Sequence, residues 1–289
     1  MTILAIDIGG SKTSMVLFEK GKVLDRQEIP TDIKSGPNDW FFQIESLTKQ
    51  WQGKFNRAGV AVSGWVDKGY WRSLNDLTLN TFGKFNLLER CRESFRVPVT
   101  ICNDAQAAAW GEHVYGAGKQ QDLVYLTIST GIGGGIVLNN KLLLGKSNLA
   151  GHFGLLISLF NDNNQKFEDI ASGRWIGLEG DSLGLGSSAK TIFSQAAAGD
   201  EKAERIIQSS AIRVAKLIQN LQLIFDPKIL IIGGGVGLAP GYIERMDSYL
   251  NNIEPFIQPN LAKASLGQDA VVFGVANLSE KINDGEEKQ

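Results

Sequence analysis

Asn103 and Asp104 are the residues of this sequence best placed to do chemistry. They lie where a predicted strand, VTIC, gives way to a predicted helix, AQAAAWGEHVYG. In open α/β sheets, ligands meet the chain at this edge. A carboxylate there could accept the proton of a sugar or alcohol hydroxyl as its oxygen attacks phosphorus. Because an aspartate at a helix start is also a common cap, position alone leaves both interpretations open.

A glycine-rich stretch indicates where a phosphate could bind. Residues 124–136 read VYLTISTGIGGGI, an apolar strand followed by hydroxyls, four glycines within five positions and a second apolar strand. The backbone N–H groups and hydroxyls of such a turn can bind an anion. A single glycine cluster fits a plain hairpin turn equally well.

The same order of parts occurs at the N-terminus. Residues 3–25 read ILAIDIGGSKTSMVLFEKGKVLD, and residues 122–145 repeat this strand, glycine turn, strand, polar turn and strand. An internal repeat of this kind predicts two halves, each opening with a glycine hairpin. Two such hairpins facing across a cleft could hold one polyphosphate. Asp7, at the end of the first strand, is the candidate Mg²⁺ ligand, since Mg²⁺ uses few protein carboxylates.

Other catalytic motifs do not fit the sequence. GGSKT lacks the spacing of a P-loop, and G-x-S-x-G does not occur. GLGSSA follows no predicted strand, so it is interpreted as a loop before a helix and not as a dinucleotide site. Only two histidines are present, which argues against a histidine-rich metal centre.

Length and composition narrow the class of protein. A chain of 289 residues suits two domains, and a net charge of −2 argues against a nucleic-acid surface. No apolar run approaches about 18 residues and no leader precedes the first strand, so a cytoplasmic protein with no membrane contact is expected. Cys91 and Cys102 are expected to be buried free thiols.

Strands alternate with helices along the chain. Helices are predicted at about 40–51, 87–95, 200–225 and 268–282, and a buried strand, KILII, enters a third glycine turn. This alternation predicts an α/β fold with a mixed sheet.

Four motifs together resemble a known family. DIGGSKT, NDAQAAAWGE, STGIGGGIV and AGHFG, in this order and spacing, are similar to motifs of the ROK family (repressors and sugar kinases). The resemblance covers nearly the whole chain and implies the actin-like ATPase (ribonuclease H-like) fold, with two domains around a cleft. We expect these domains at residues 1–113 and 114–289, with the C-terminal helix packing back on the first, and a homodimer.

The resemblance also implies a function. No helix-turn-helix precedes Met1, which favours the kinase branch, and EDIASGR and GGGVGLAPGY are most similar to bacterial N-acetylmannosamine kinases. The implied activity is phosphorylation of the 6-hydroxyl of N-acetylmannosamine with ATP and Mg²⁺, in sialic acid catabolism. A glucokinase or another hexose or hexosamine kinase is the alternative, and a sugar-sensing regulator is the alternative without catalysis.

By the same resemblance, each part of the site has candidate residues. Asp104 is the catalytic base. The residues expected to bind the sugar are Ser63, Gly64, Asn75, Asn103, His152 and Glu168. The residues expected around the nucleotide and its metal are Asp7, Gly9, Gly10, Lys12, Thr13, Thr130, Gly131, Gly133 and Gly234. Taken alone, His152 and Glu168 could equally be ordinary loop residues.

One motif departs from the family pattern. Where the family has E-x-G-H or H-x-G-H, this chain has HFGL, so Leu155 replaces the last histidine. The cysteine-rich zinc loop of the family is replaced by ISLFNDNNQKFED, which contains no cysteine. We therefore predict no structural zinc, a loop held by apolar packing, and looser discrimination among hexoses at this corner of the site.

Overall fold

The computed structural model describes residues 1–75, 78–80, 83–157 and 164–281. The end of the last predicted helix, Ile282, and the polar tail after it lie outside these ranges. The strands are β1 Thr2–Ile8, β2 Lys12–Glu19, β3 Lys22–Pro30, β4 Arg57–Val62, β5 Trp65–Asp67, β6 Tyr70–Arg72, β7 Phe85–Asn86, β8 Val99–Asn103, β9 Leu123–Ile128, β10 Ile132–Leu138, β11 Lys141–Leu142, β12 Ile229–Gly233 and β13 Leu261–Lys263.

The helices agree closely with the sequence pattern. They are α1 Pro37–Thr48, α2 Leu87–Phe95, α3 Asp104–Val114, α4 Glu168–Ala171, α5 Gly173–Ser182, α6 Ala189–Ala197, α7 Glu201–Phe225, α8 Tyr242–Leu250 and α9 Ala270–Lys281. The helix predicted at 40–51 begins earlier, at Pro37, because proline suits the first helical position. Asp200 caps α7 through the N–H groups of Lys202 and Ala203. The loop interpretation of GLGSSA is confirmed, since α6 starts only at its last residue, Ala189.

The predicted repeat is confirmed by the sheet topology. One five-stranded sheet has the order β3-β2-β1-β4-β8 and the other has the order β11-β10-β9-β12-β13. In each, an antiparallel three-strand meander is extended on one side by two parallel strands. The glycine turns after β1 and after β9 therefore occupy equivalent places in the two halves. The fold is the mixed α/β fold expected from the sequence.

Two helices cross between the sheets. Helix α3 leaves the first sheet after β8 and packs on β9 and β10 of the second. Helix α9 leaves the second sheet after β13 and packs on β1 and β4 of the first. The two helices also pack against each other, so the chain passes between the halves at one place. The domain boundary at 113/114 stays a prediction.

The crossing of α3 and α9 depends on glycine. A Cβ added at Gly274 would lie 1.8 Å from the carbonyl oxygen of Ala107, and one at Gly111 would lie 2.2 Å from that of Ala270. Both obstacles are helix backbone, which cannot move aside as a flexible side chain would. The close approach of the two helices therefore requires these glycines.

Replacing Gly274 with alanine is expected to lower the free energy of unfolding by about 1–3 kcal/mol, the usual cost of overpacking a close contact. Gly36→Ala is the matched control, because an added Cβ there meets no atom within 4 Å. Denaturant titration of both variants measures the difference. Equal stability of the two variants would contradict the tight crossing.

The structure also bears on the two cysteines and on membrane-spanning helices. Cys91 and Cys102 are both buried and free, as predicted. Within the described ranges, no helix combines the length and apolarity needed to cross a membrane.

Candidate active site

The two glycine turns and the C-terminal end of β8 enclose one cleft. Its cavity has a volume of about 560 Å³ and is lined from both halves of the molecule. The predicted site residues that line it are Asp7, Gly9, Gly10, Lys12, Ser63, Gly64, Asn75, Asn103, Asp104, Thr130, Gly131, Gly133, His152 and Glu168. The structure thus brings together residues separated by more than half of the sequence.

Asp104 is held in one orientation at the start of α3. Its Oδ2 accepts a hydrogen bond from the Ser63 hydroxyl, and its Oδ1 accepts from the backbone N–H of Ala105 at 2.8 Å. The Asn103 amide also donates to Oδ1 of Asp104, at 2.9 Å. A carboxylate positioned by a helix N-terminus and two side chains can accept a proton from a hydroxyl in the cleft.

Asn103, and not Asp104, is the residue that caps α3. Its Oδ1 accepts from the N–H of Gln106 at 3.0 Å, and its Nδ2 donates to the carbonyl of Gly64 at 2.9 Å. Because the capping role is already filled, the cap interpretation of Asp104 is not needed. The same bonds tie the end of β8 to the turn after β4.

Asp7 is a half-buried carboxylate at the end of β1. Desolvation, with a smaller contribution from the nearby charge of Asp104, raises the pKa of Asp7 to about 8. In the part of the chain that the structure describes, no side chain donates a hydrogen bond to it. The charge of Lys12 lowers this pKa only in part, and a divalent cation bound beside Asp7 would stabilise its ionised form further.

His152 and Glu168 form the opposite wall. His152 Nδ1 lies 3.2 Å from the carbonyl of Leu149, while its buried Nε2 has no hydrogen-bond partner among the described residues. Burial lowers the pKa of His152, so the neutral imidazole is favoured near pH 7. Burial raises the pKa of Glu168, which is 9% exposed. An unpartnered ring nitrogen beside a cleft is suited to a ligand hydroxyl.

Lys12 and Thr13 point to opposite sides of β2, as neighbouring residues in a strand must. Lys12 reaches the cleft edge, where its Nζ donates to Glu28 at 2.8 Å and to Gln268 at 3.0 Å. Thr13 does not line the cleft: it is buried and its hydroxyl bonds to that of Thr31 at 2.9 Å. The place of Thr13 beside the nucleotide stays a prediction, and its side chain is not part of the cleft wall.

Gly234 also lines neither cavity, although it is partly exposed. It has a φ of 84°, and an added Cβ would lie 2.3 Å from the carbonyl oxygen of Ile128. The third glycine turn thus packs on the end of β9, and its next residue, Gly235, reaches a second cavity. Gly234 shapes this wall through its backbone.

The second cavity was not predicted from the sequence. It has a volume of about 1040 Å³ and shares Ser129 and Thr130 with the first. Its other wall residues include Arg174, Lys190, Phe193, Val236 and Pro240. The backbone N–H of Arg174 donates to the carbonyl of Thr130 at 3.1 Å, so the start of α5 is fixed against the glycine hairpin. Nothing in the spacing of these residues indicates a shared site.

The HFGL segment places Leu155 in the cleft wall. The prediction that apolar packing holds the loop is only partly right: Phe167 is 4% exposed, whereas Leu156 and Ile157 are 45% and 53% exposed. Residues 158–163, which include the candidate ligand Asp162, lie outside the described residues. Among the described residues, no group of three or more His, Cys, Asp or Glu side chains could hold a metal ion.

The absence of structural zinc stays a prediction. We expect protein purified without a polyhistidine tag to contain far less than one zinc per chain, because Leu155 cannot bind a metal. Metal analysis by mass spectrometry tests this. Stoichiometric zinc, or activity lost on chelation and restored by zinc but not by Mg²⁺, would contradict it.

Comparison with known proteins gives consistent matches. The ROK family profile matches residues 3–282. The chain is 40% identical over 277 residues to the bifunctional enzyme NanE/NanK of Brucella melitensis, covering 96% of this chain but only 54% of that protein. It is 35% identical over 287 residues to the N-acetylmannosamine kinase of Shigella flexneri, covering 97% of this chain and 99% of the other. A ROK hexokinase structure from Thermus thermophilus superposes with a TM-score of 0.81 at 28% identity, covering 97% and 98% of the two chains.

Proposed function

The chain belongs to the ROK family, and on this premise we propose that it is an ATP-dependent kinase that phosphorylates the 6-hydroxyl of N-acetylmannosamine. The observation that carries the proposal is the position of Asp104. Its carboxylate faces a cleft walled by two glycine hairpins, which continues at Ser129 and Thr130 into a second cavity. A base and a polyphosphate site on either side of one hydroxyl are what phosphoryl transfer needs.

The sugar occupies the part of the cleft around Asp104, His152 and Glu168. His152 Nε2, buried without a partner, accepts or donates a hydrogen bond to a ring hydroxyl. Glu168, a carboxylate whose pKa is raised by burial, can accept a hydrogen bond from a sugar hydroxyl. Leu155 offers an apolar surface where related sequences have histidine. The acetamido methyl of the sugar is a group that such a surface suits.

The nucleotide spans the two cavities. Its phosphates lie between the first glycine turn and the second, where Gly10, Thr130 and Gly131 line the cleft and can offer backbone N–H groups to an anion. The adenosine takes the second cavity, between the start of α6 and the third glycine turn. The Lys12 ammonium group forms a salt bridge with Glu28. It therefore contributes positive charge at the edge of the phosphate site but is not a free ammonium group.

The residues present fit a bound Mg²⁺. Asp7 is a carboxylate whose proton is retained by burial and by the charge of Asp104, and a divalent cation would relieve both effects. Mg²⁺ is usually bound by one or two carboxylates together with substrate phosphates. When bound, it would neutralise the charge of the transferring phosphate.

In the proposed reaction, the oxygen of the sugar 6-hydroxyl attacks the γ-phosphorus in line with the departing ADP. Asp104 accepts the proton of that hydroxyl. Ser63, Asn103 and the N–H of Ala105 hold the carboxylate in place for this transfer. The N–H groups of the two glycine turns stabilise charge on the phosphoryl oxygens. Closure of the two halves about the α3–α9 crossing would exclude water and so limit ATP hydrolysis.

Three further parts of the proposal concern assembly, location and pathway. A homodimer, a cytoplasmic location and a place in sialic acid catabolism rest on the resemblance to related kinases. The partners are small molecules, the sugar and ATP, with no nucleic acid or membrane. A glucokinase or another hexosamine kinase is the nearest alternative, and a sugar-sensing regulator is the alternative without catalysis.

A coupled assay of ADP release over N-acetylmannosamine, N-acetylglucosamine, mannose and glucose tests the proposal. We expect the highest kcat/KM with N-acetylmannosamine. A higher kcat/KM with glucose would favour the glucokinase alternative. Sugar binding without ADP release would favour the regulator.

A further inference from the structure

Gln106 is a buried polar residue that the proposed mechanism does not use. It lies in the first turn of α3, two positions after Asp104, and is 2% exposed. Its Nε2 donates to the carbonyl oxygens of Asn148 and Ala150, at 3.1 and 2.9 Å. One amide group therefore uses both of its hydrogens on residues 146–152, which we call the clasp segment. The clasp segment ends at His152, in the wall of the cleft.

The clasp segment is also bonded to the other half of the molecule. It follows β11 of the second sheet, yet the Trp65 indole on β5 donates to the carbonyl of Ser147 at 2.7 Å. Asn148 donates from its side chain to the carbonyl of Val66 at 3.1 Å. Its own backbone is left-handed, with a φ of 55°, which asparagine tolerates better than most residues. These bonds join the two sides of the cleft next to the turn that carries Ser63 and Gly64.

The clasp segment also packs against the second glycine hairpin. Gly151 has a φ of 90°, and an added Cβ would lie 2.5 Å from the carbonyl oxygen of Gly134. The segment thus packs directly on β10. It cannot move closer to the hairpin, and the two bonds from Gln106 are among those that oppose movement away from it.

We propose that Gln106 is a positioning residue for the sugar. By holding the clasp segment it sets where His152 stands relative to Asp104, because Asp104 and Gln106 belong to the same helical turn. The catalytic base and a wall residue on the opposite side of the cleft are then located by one rigid element. The reference to sugar rests on the proposed function, whereas the hold on the clasp segment does not.

Loss of the two N–H donors of the Gln106 amide should weaken sugar binding more than nucleotide binding. Without them, two partly buried carbonyl oxygens, those of Asn148 and Ala150, lose a partner, and the clasp segment must shift to reach others. His152 moves with that segment. The phosphate site on the glycine turns should stay in place, since the side-chain hydrogen bonds that Gln106 makes to described residues go to the clasp segment and not to either turn.

The test uses Gln106→Glu, which keeps the shape and removes the donors. We expect the KM for N-acetylmannosamine to rise about tenfold or more, while the KM for ATP stays within about twofold. Gln258→Glu is the matched control, because Gln258 also donates from a partly buried amide to a backbone carbonyl, that of Ile253 at 3.0 Å, but far from the cleft. It should leave both KM values unchanged. An equal rise of both KM values in the Gln106 variant, or a fall in kcat alone, would overturn the proposal.

A second readout does not depend on catalysis. Hydrogen exchange of the sugar-free protein should be faster in residues 146–152 of Gln106→Glu than in the wild type or in Gln258→Glu. Gln106→Asn, whose shorter side chain cannot reach both carbonyls, serves in the same way if the first variant does not fold. Unchanged exchange in the clasp segment would overturn the proposal. A wild type that phosphorylates no sugar would remove the proposed function, and the exchange result would still decide whether Gln106 holds the segment.

Discussion

Replacing Asp104 with asparagine is expected to lower kcat by ~10²–10⁴-fold, the range typical for loss of a positioned general base. Asparagine keeps the size of the side chain and an oxygen that can accept from Ala105 N–H, so the start of α3 should persist. The KM for the sugar should change little, because the amide can still bond to a hydroxyl. Steady-state kinetics with saturating ATP measures both constants.

A second aspartate provides the control for this variant. Asp25 accepts a hydrogen bond from the Trp51 indole at 2.8 Å, outside the cleft, and asparagine can replace it in that contact. Asp25→Asn should therefore keep full activity. Near-normal kcat in Asp104→Asn would remove Asp104 from the role of base.

Asp7→Asn is expected to lower kcat/KM for MgATP by about 10²-fold or more, since the charge stabilisation that a metal ion supplies is worth several kcal/mol. An amide is a poorer Mg²⁺ ligand than a carboxylate and carries no charge to balance the cation. The KM for the sugar should change much less. Titration of MgATP with each protein tests this, and an unchanged kcat/KM would show that Asp7 is not a ligand.

In the metal-free protein, the same variant should raise the stability of the folded state, although it lowers activity. The pKa of Asp7 is raised from its ordinary value of 3.8 to about 8 in the folded state, mainly by desolvation. Between these two values the folded state holds a proton that the unfolded state has released. Stability from this group is therefore full below about pH 4 and is lost as the pH rises to about 8. Asparagine does not titrate, so Asp7→Asn should be more stable than the wild type above pH 8. Parallel curves of unfolding temperature against pH for the two proteins would contradict the raised pKa.

The sequence predicted those parts of the site that are local in the chain. Each glycine turn and its flanking strands are contiguous, and the strand-to-helix junction at Asn103 is readable from residue types alone. The repeat predicted that the two glycine turns lie in one cleft, because equivalent turns of two similar halves can face each other. The motif did not show which of its polar side chains face the cleft: Lys12 and Thr13 were both assigned to the nucleotide, although neighbouring strand residues point to opposite faces.

Other parts of the site depend on packing that no local pattern encodes. The second cavity is built from the start of α5, the start of α6 and the third glycine turn, which are far apart in sequence. Gln106 looks like an ordinary helix residue in a run of alanines until the clasp segment is seen beside it. The crossing of α3 and α9 depends on Gly111 and Gly274, which the helical pattern alone would mark only as weak helix formers.

The central claim is that this cleft transfers phosphate to the 6-hydroxyl of N-acetylmannosamine. Phosphorus NMR of the product, formed with ATP and Mg²⁺, tests it most directly. We predict a monoester whose phosphorus couples to the two protons on carbon 6, and no product from the 6-deoxy analogue. A phosphate on another oxygen, or product from the 6-deoxy sugar, would contradict this account.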